Sequence, residues 1–155
     1  MSKFAILLGG DVRRTPRLDA QIAGARVIAA DSGMRHAPAL GLAAELWIGD
    51  FDSVSDELDA GFPDVRREVF PADKDRTDGE LAIQAALGLG ASSLIIVGAF
   101  GGPRPDHAYL HLTLAMRLAE DGIPTLLASG RHEGRPLAVG PRHVFDHEDG
   151  THFSI

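Results

Sequence analysis

The sequence predicts an α/β fold, an open, mostly parallel sheet flanked by helices in a Rossmann-like, three-layer arrangement. Apolar stretches of strand length recur at 4–8, 26–30, 45–48, 66–70, 94–97 and 125–128, and segments of helical character lie between them. Strands and helices in alternation are the pattern of parallel strands joined by helical crossovers. Four polar clusters each follow directly on a predicted strand. In open α/β sheets ligands bind outside the carboxyl ends of the strands, so these clusters are expected to converge on one crevice.

The elements follow in order. After the first strand, Thr15-Pro16 opens a helix, with Thr able to cap it and Pro pre-set for its first position. The strand at 26–30 runs into Asp31-Ser32-Gly33, and the strand at 45–48 into Gly49-Asp50-Phe51-Asp52-Ser53. Trp47, the only Trp, continues the apolar pattern and is read as core. Ser55 with Leu58 marks a short helix, and the strand at 66–70 precedes Asp73-Lys74-Asp75-Arg76-Thr77-Asp78. Thr77 and Glu80 form a capping box, Leu81, Ala82, Ala85, Ala86 and Leu89 share one face, and Gly88 and Gly90 signal the stop. The strand at 94–97 leads into Gly98-Ala99-Phe100-Gly101-Gly102, and a helix over 105–121 carries Leu110, Leu114 and Leu118 at i, i+4, i+8. Beyond the strand at 125–128 the pattern changes. Residues 1–130 are read as one α/β domain. Residues 131–155 are read as a separate, linker-like stretch, with a strand beginning at 150–155.

Composition narrows the function classes. The 155 residues suit one domain of ordinary size, and 45% hydrophobic with 24% charged residues is the mixture of a soluble globular protein. No apolar run approaches the ~20 residues of a membrane span, and the N-terminus lacks a signal-peptide pattern, so a cytoplasmic protein is expected. The absence of Cys excludes disulfides and thiolate metal sites. A formal charge of −7 argues against nucleic acid as a partner, because phosphate neutralisation needs clustered Lys and Arg. Only Lys3 and Lys74 are lysines, which sets Lys74 apart in an Arg-biased chain.

The strand-end clusters bring Asp31, Asp50, Asp52, Asp73, Asp75 and Asp78 toward one place. Carboxylates gathered so closely raise one another's pKa unless a cation joins them. An all-oxygen site of this kind suits Mg²⁺, which takes one or two carboxylates plus phosphate oxygens and water. Asp50 and Asp52 can share a metal only if the turn brings both around, and Asp78 in the first helical turn could supply a third oxygen. Any single Asp after a strand is as readily a turn former, and Asp73 is the one best explained that way. Phosphate could be held by the glycine turn at 98–102, by the helix opening near Asp106, and by Lys74 and Arg104. Neither GxxxxGK[ST] nor GxGxxG is present. His107 and His111, i and i+4 on a helix, lack an apparent third ligand, and His143 with His147 lies in irregular sequence.

Taken together, Ala30-Asp31-Ser32-Gly33, Gly49-Asp50-Phe51-Asp52-Ser53, Asp73-Lys74-Asp75-Arg76-Thr77-Asp78-Gly79-Glu80 and Gly101-Gly102-Pro103-Arg104-Pro105-Asp106-His107 resemble, in order, the motif series of thiamine diphosphokinases. The resemblance implies that residues 1–130 are an ATP- and Mg²⁺-binding α/β domain, that 131–155 are a linker and the start of a truncated C-terminal β domain, a β-sandwich that this sequence largely lacks, and that a homodimer holds thiamine between subunits. It implies attack of the thiamine hydroxyl on the β-phosphorus of ATP, with AMP departing. Asp50, Asp52 and Asp78, with Asp75, would then hold Mg²⁺ on the phosphates. Asp31, Ser32 and Gly33 would line the nucleotide site, while Lys74, Thr77, Arg104, Asp106 and His107 would orient phosphates or the thiamine side. Pro103, inserted before Arg104, departs from the family pattern.

Three other readings use the same residues. Asp50-Phe51-Asp52 could be the DxD of a haloacid-dehalogenase-type phosphatase with Asp50 as nucleophile. A related kinase could use a pterin alcohol as acceptor. A module that binds Mg-nucleotide without turnover would need only the donor half.

Overall fold

The computed structural model describes residues 2–52, 54–72 and 75–155. Its strands are β1 (Ser2–Leu7), β2 (Arg26–Ala30), β3 (Leu46–Gly49), β4 (Arg67–Val69), β5 (Ala91–Val97), β6 (Thr125–Ala128) and β7 (Glu133–Gly134), in one sheet of order β4-β3-β2-β1-β5-β6-β7. Every neighbouring pair is parallel except β6 with β7. The helices are α1 (Pro16–Ile22), α2 (His36–Leu40), α3 (Asp56–Gly61), α4 (Asp78–Gly88) and α5 (Pro105–Glu120), with a 3₁₀ turn at Asp31–Arg35. The expected α/β class and three-layer arrangement are what the structure shows.

Alternation along the buried strands divides the core. Phe4, Ile6, Ile28, Ile48, Leu94 and Ile96 face α4 and α5, where Ala82, Ile83, Ala86, Ala115 and Leu118 pack on them. Ala5, Leu7, Val27, Ala29, Trp47, Ile95 and Val97 face the other way, onto Leu18 and Ile22 of α1 and Ala37 and Leu40 of α2. A strand covered on both faces reads as one apolar run, which is why β1 and β5 stand out in the sequence.

Local chemistry fixes the helix starts. Thr15 Oγ1 accepts from Leu18 N at 3.1 Å with Pro16 in the first turn, and Ser55 Oγ accepts from Leu58 N at 3.2 Å. Thr77 and Glu80 close a reciprocal box: Thr77 N donates to Glu80 Oε2 at 2.8 Å and Glu80 N to Thr77 Oγ1 at 3.3 Å. Asp78 is thereby held as the first residue of α4.

Three features differ from the sequence expectation. The 3₁₀ turn and α2 occupy residues read only as a polar cluster and connection. Pro38 is tolerated there because it falls in the first turn of α2, where no intrahelical N–H is needed. Secondly, β5 starts at Ala91, earlier than the apolar run, because Ser2 of β1 pairs with it. Finally, residues 150–155 carry no strand: no neighbouring strand pairs with them among the described residues, and a strand without a partner is not stable. Within residues 131–155 it is instead β7 that joins the sheet, with Ala128 opposite Glu133.

Glu133 is tied down from several sides. Arg17 Nε donates to its Oε1, Gln21 Nε2 to the same oxygen at 2.8 Å, and His147 Nε2 meets Oε2 at 3.0 Å. Arg17 Nη2 also reaches Asp146 Oδ1 at 2.9 Å. The stretch after β7 is thus fastened to α1. No helix among the described residues is long and apolar enough to cross a membrane.

Candidate metal and nucleotide site

Asp31 follows β2, Asp50 follows β3 and Asp78 opens α4, so three separate elements end at one point. Carboxylate oxygens of these residues all lie within 4.8 Å of one another, and each residue is half-buried. Two local features allow the approach. Gly49 has no side chain, and a Cβ there would stand 1.9 Å from Asp31 Oδ1. Asp31 and Phe51 adopt positive φ, 44° and 64°, a conformation that costs a non-glycine residue about 1–2 kcal/mol and that turns both chain segments inward. Phe51 N donates to Asp31 Oδ1 at 3.3 Å, and Asp52 N to Asp50 Oδ1 at 3.0 Å.

The electrostatics follow from this crowding. The Asp31 carboxyl is pushed up to about 8, chiefly by burial, then by its hydrogen bond with Asp78 and the charges of Asp78 and Asp50; the Phe51 amide pulls the other way. Burial and the neighbouring carboxylates thus favour the protonated form of Asp31. A divalent cation would replace that proton, and an all-carboxylate donor set of this density fits a hard ion that prefers oxygen.

The remaining residues singled out in the sequence spread around this cluster. Ser32 and Gly33 continue from Asp31 into the 3₁₀ turn, and a Cβ on Gly33 would meet the Leu7 carbonyl oxygen at 2.1 Å. A cavity of about 440 Å³ lies beside them, lined by Ser32, Arg35, Ser55, Glu57 and Leu58. Asp52 and Asp75 are exposed, and the carboxylate that joins Asp50 and Asp78 is that of Asp31, not Asp52. Thr77 serves the capping box. Arg104 and Asp106 form a two-bond ion pair at 3.0 and 2.7 Å at the start of α5, which holds the Asp106 carboxyl down at about 2. His107 is half-buried, its ring centre 6.4 Å from that of His111. His111 is buried and its Nδ1–H donates to the Ala99 carbonyl at 3.2 Å, so the pair does not converge on a common ion. Lys74, with Asp73 and Ser53, lies outside the described residues.

A fifth strand-end loop belongs to the same edge and was missed. Gly9-Gly10-Asp11 follows β1, where the strand order reverses between β1 and β5. Gly10 N donates to Gly98 O at 2.9 Å and Asp11 N to Phe100 O at 2.8 Å, while Gly102 N reaches Asp11 Oδ2 at 3.4 Å. Arg35 Nη2 donates to Gly9 O at 2.6 Å and His36 Nε2 to Gly10 O at 2.9 Å. The signal was there: two glycines and an Asp directly after an apolar run. The glycine turn at 98–102 is thus locked to the first loop through backbone atoms.

A mostly parallel α/β sheet with an acidic, oxygen-only cluster at its carboxyl edge has the donor atoms to hold a hard cation. The family model described as thiamin pyrophosphokinase, catalytic domain, matches residues 22–127, and the chain belongs to that family. Solved structures agree. Thiamine pyrophosphokinase from Bacillus subtilis is 25% identical with a TM-score of 0.69, over 83% of this chain and 61% of that one. The thiamin pyrophosphokinase family protein from Enterococcus faecalis is 28% identical with a TM-score of 0.62, over 83% and 61%. Thiamin pyrophosphokinase from Geobacillus thermodenitrificans is 28% identical with a TM-score of 0.62, over 83% and 59%. The chain spans about three fifths of the length of these structures. No curated protein matches by sequence.

Proposed function

We propose that this chain is a thiamine diphosphokinase: it transfers a diphosphoryl group from Mg-ATP to the hydroxyl of thiamine, giving thiamine diphosphate and AMP. The observation that supports this best is the meeting of Asp31, Asp50 and Asp78 within the span matched by the family model. In the reaction the thiamine hydroxyl oxygen bonds to the β-phosphorus of ATP, the bond from that phosphorus to the AMP oxygen breaks, and the hydroxyl proton is released. Such chemistry depends on positioning and charge neutralisation more than on covalent help.

Asp50 and Asp78, with Asp31, would hold Mg²⁺, and exposed Asp52 and Asp75 would join when phosphate oxygens arrive. The ion would neutralise charge on the phosphates. Ser32 and Gly33, with the cavity beside Arg35, would take the nucleotide side. Lys74, Thr77, Arg104, Asp106 and His107 would orient phosphates or thiamine. We take the working unit to be a cytoplasmic homodimer.

Incubation with ATP, Mg²⁺ and thiamine should yield AMP and thiamine diphosphate in equal amounts. Free phosphate without AMP would instead select a phosphatase acting through Asp50. Binding of ATP with no AMP formed would select a nucleotide-binding module.

A further inference from the structure

Trp47 is fully buried in β3, two strand positions before the Gly49-Asp50 turn, and its burial alone would make it ordinary core. Its contacts say more. The indole Nε1–H donates to the backbone carbonyl of Asp31 at 2.8 Å. The same indole meets the Phe51 ring edge-to-face, with centroids 5.0 Å apart and planes at 71°. Asp31 and Phe51 are the two non-glycine residues with positive φ among the described residues, and one side chain touches both.

From these contacts the geometry points to Trp47 as a positioning residue for the carboxylate cluster. It holds Asp31 through a hydrogen bond and Phe51 through its ring, and Phe51 sits between Asp50 and Asp52. The indole is itself immobilised. Phe62 packs edge-on at 6.0 Å, and Arg67, its register partner on β4, lies over the Trp47 ring at 4.7 Å and over Phe51 at 5.4 Å. A conformation that isolated residues disfavour persists only where its surroundings over-determine it. Here the surroundings are the buried indole, its N–H committed to Asp31, together with the Arg67 guanidinium over both rings.

The inference rests on the reading of the cluster as a divalent-cation site, and the test separates the two. Mg²⁺ alone is titrated calorimetrically into the wild-type chain and into Trp47→Phe, which keeps a ring against Phe51 and loses the N–H. Thermal melts run in parallel. Positioning partners outside the ligand set commonly change metal affinity about 10- to 100-fold, so a folded Trp47→Phe should bind Mg²⁺ at least about tenfold more weakly. A merely structural role would lower the melting temperature and leave the affinity of the folded protein as it was, which overturns the inference. Phe51→Leu keeps the indole donor and removes the ring edge, and it decides the matter if Trp47→Phe does not fold: weaker Mg²⁺ binding supports positioning, unchanged binding overturns it. A wild-type chain that binds no Mg²⁺ overturns the cation reading and this inference together.

Discussion

The amide of Phe51 donates to Oδ1 of Asp31 across 3.3 Å, so the turn that presents Asp50 is tied to the residue that follows β2. The tie leaves no room at Gly49, where a Cβ would stand 1.9 Å from the same oxygen. Gly49→Ala should therefore push Asp31 out of place. Overpacking of this kind costs about 1–3 kcal/mol, measurable by urea denaturation. The variant should also lose Mg²⁺ binding, and full affinity in Gly49→Ala would contradict the geometry.

Asp31 holds its proton up to about 8, against an ordinary value of 3.8. A carboxyl whose folded value lies above its unfolded value binds more protons in the native state. Stability of the metal-free protein should therefore be greatest below the unfolded value and decline as pH rises from about 4 to about 8. Melts in chelator across that range should show the decline, and saturating Mg²⁺ should flatten it. At pH 7 Mg²⁺ uptake should release a proton, seen as a binding enthalpy that varies with the ionisation enthalpy of the buffer.

Asp50 and Asp52 are neighbours in the motif but not in their surroundings. Asp50→Asn removes a member of the cluster and should weaken binding of Mg²⁺ alone by at least about tenfold. Asp52→Asn, changing an exposed carboxylate, should leave binding of Mg²⁺ alone nearly intact and reduce formation of AMP from ATP and thiamine. Equal effects of the two substitutions on Mg²⁺ alone would contradict this division.

Thr77 reaches the site through α4. Thr77→Ala breaks the capping box and should cost about 1 kcal/mol in denaturant unfolding, while Thr77→Ser should restore most of it. If Thr77 also contacts phosphate, Ser will recover stability and activity alike.

Burial would raise the Glu133 carboxyl, but hydrogen bonds from Arg17, Gln21 and His147 outweigh it and hold the group below its ordinary 4.5. A depressed carboxyl lends stability above its unfolded value, lost as pH falls through the folded one. The segment after β7 should then become open to acid-active proteases at lower pH before the sheet unfolds. Glu133→Gln should expose the same segment at neutral pH to a protease that is active there.

Much of this was legible in the residues because local causes produced it. β1, β2, β3, β5 and β6 are short apolar runs, whereas β7 is only Glu133–Gly134, and Thr15, Ser55 and Thr77 announce three helices through their own side chains. The 3₁₀ turn and α2 were not legible, since they are anchored from a distance by Arg35 and His36 on the Gly9 and Gly10 carbonyls. The motif series named the acidic residues. Which of them meet depends on the backbone, where Asp31 and Phe51 take φ of 44° and 64° and Asp31 joins Asp50 and Asp78. Neither angle is written in a non-glycine residue.

The central place of β1 has a consequence for how the chain is assembled. Leu7 pairs on one side with Ala29, available early in synthesis, and on the other with Val97. Until the ribosome has released residue 97, the N-terminal strand carries one bare edge of unpaired amides and carbonyls, open to strands of other chains. Closing that edge is a long-range event, and such events fold slowly. The nascent chain is thus most vulnerable in the interval before β5 emerges.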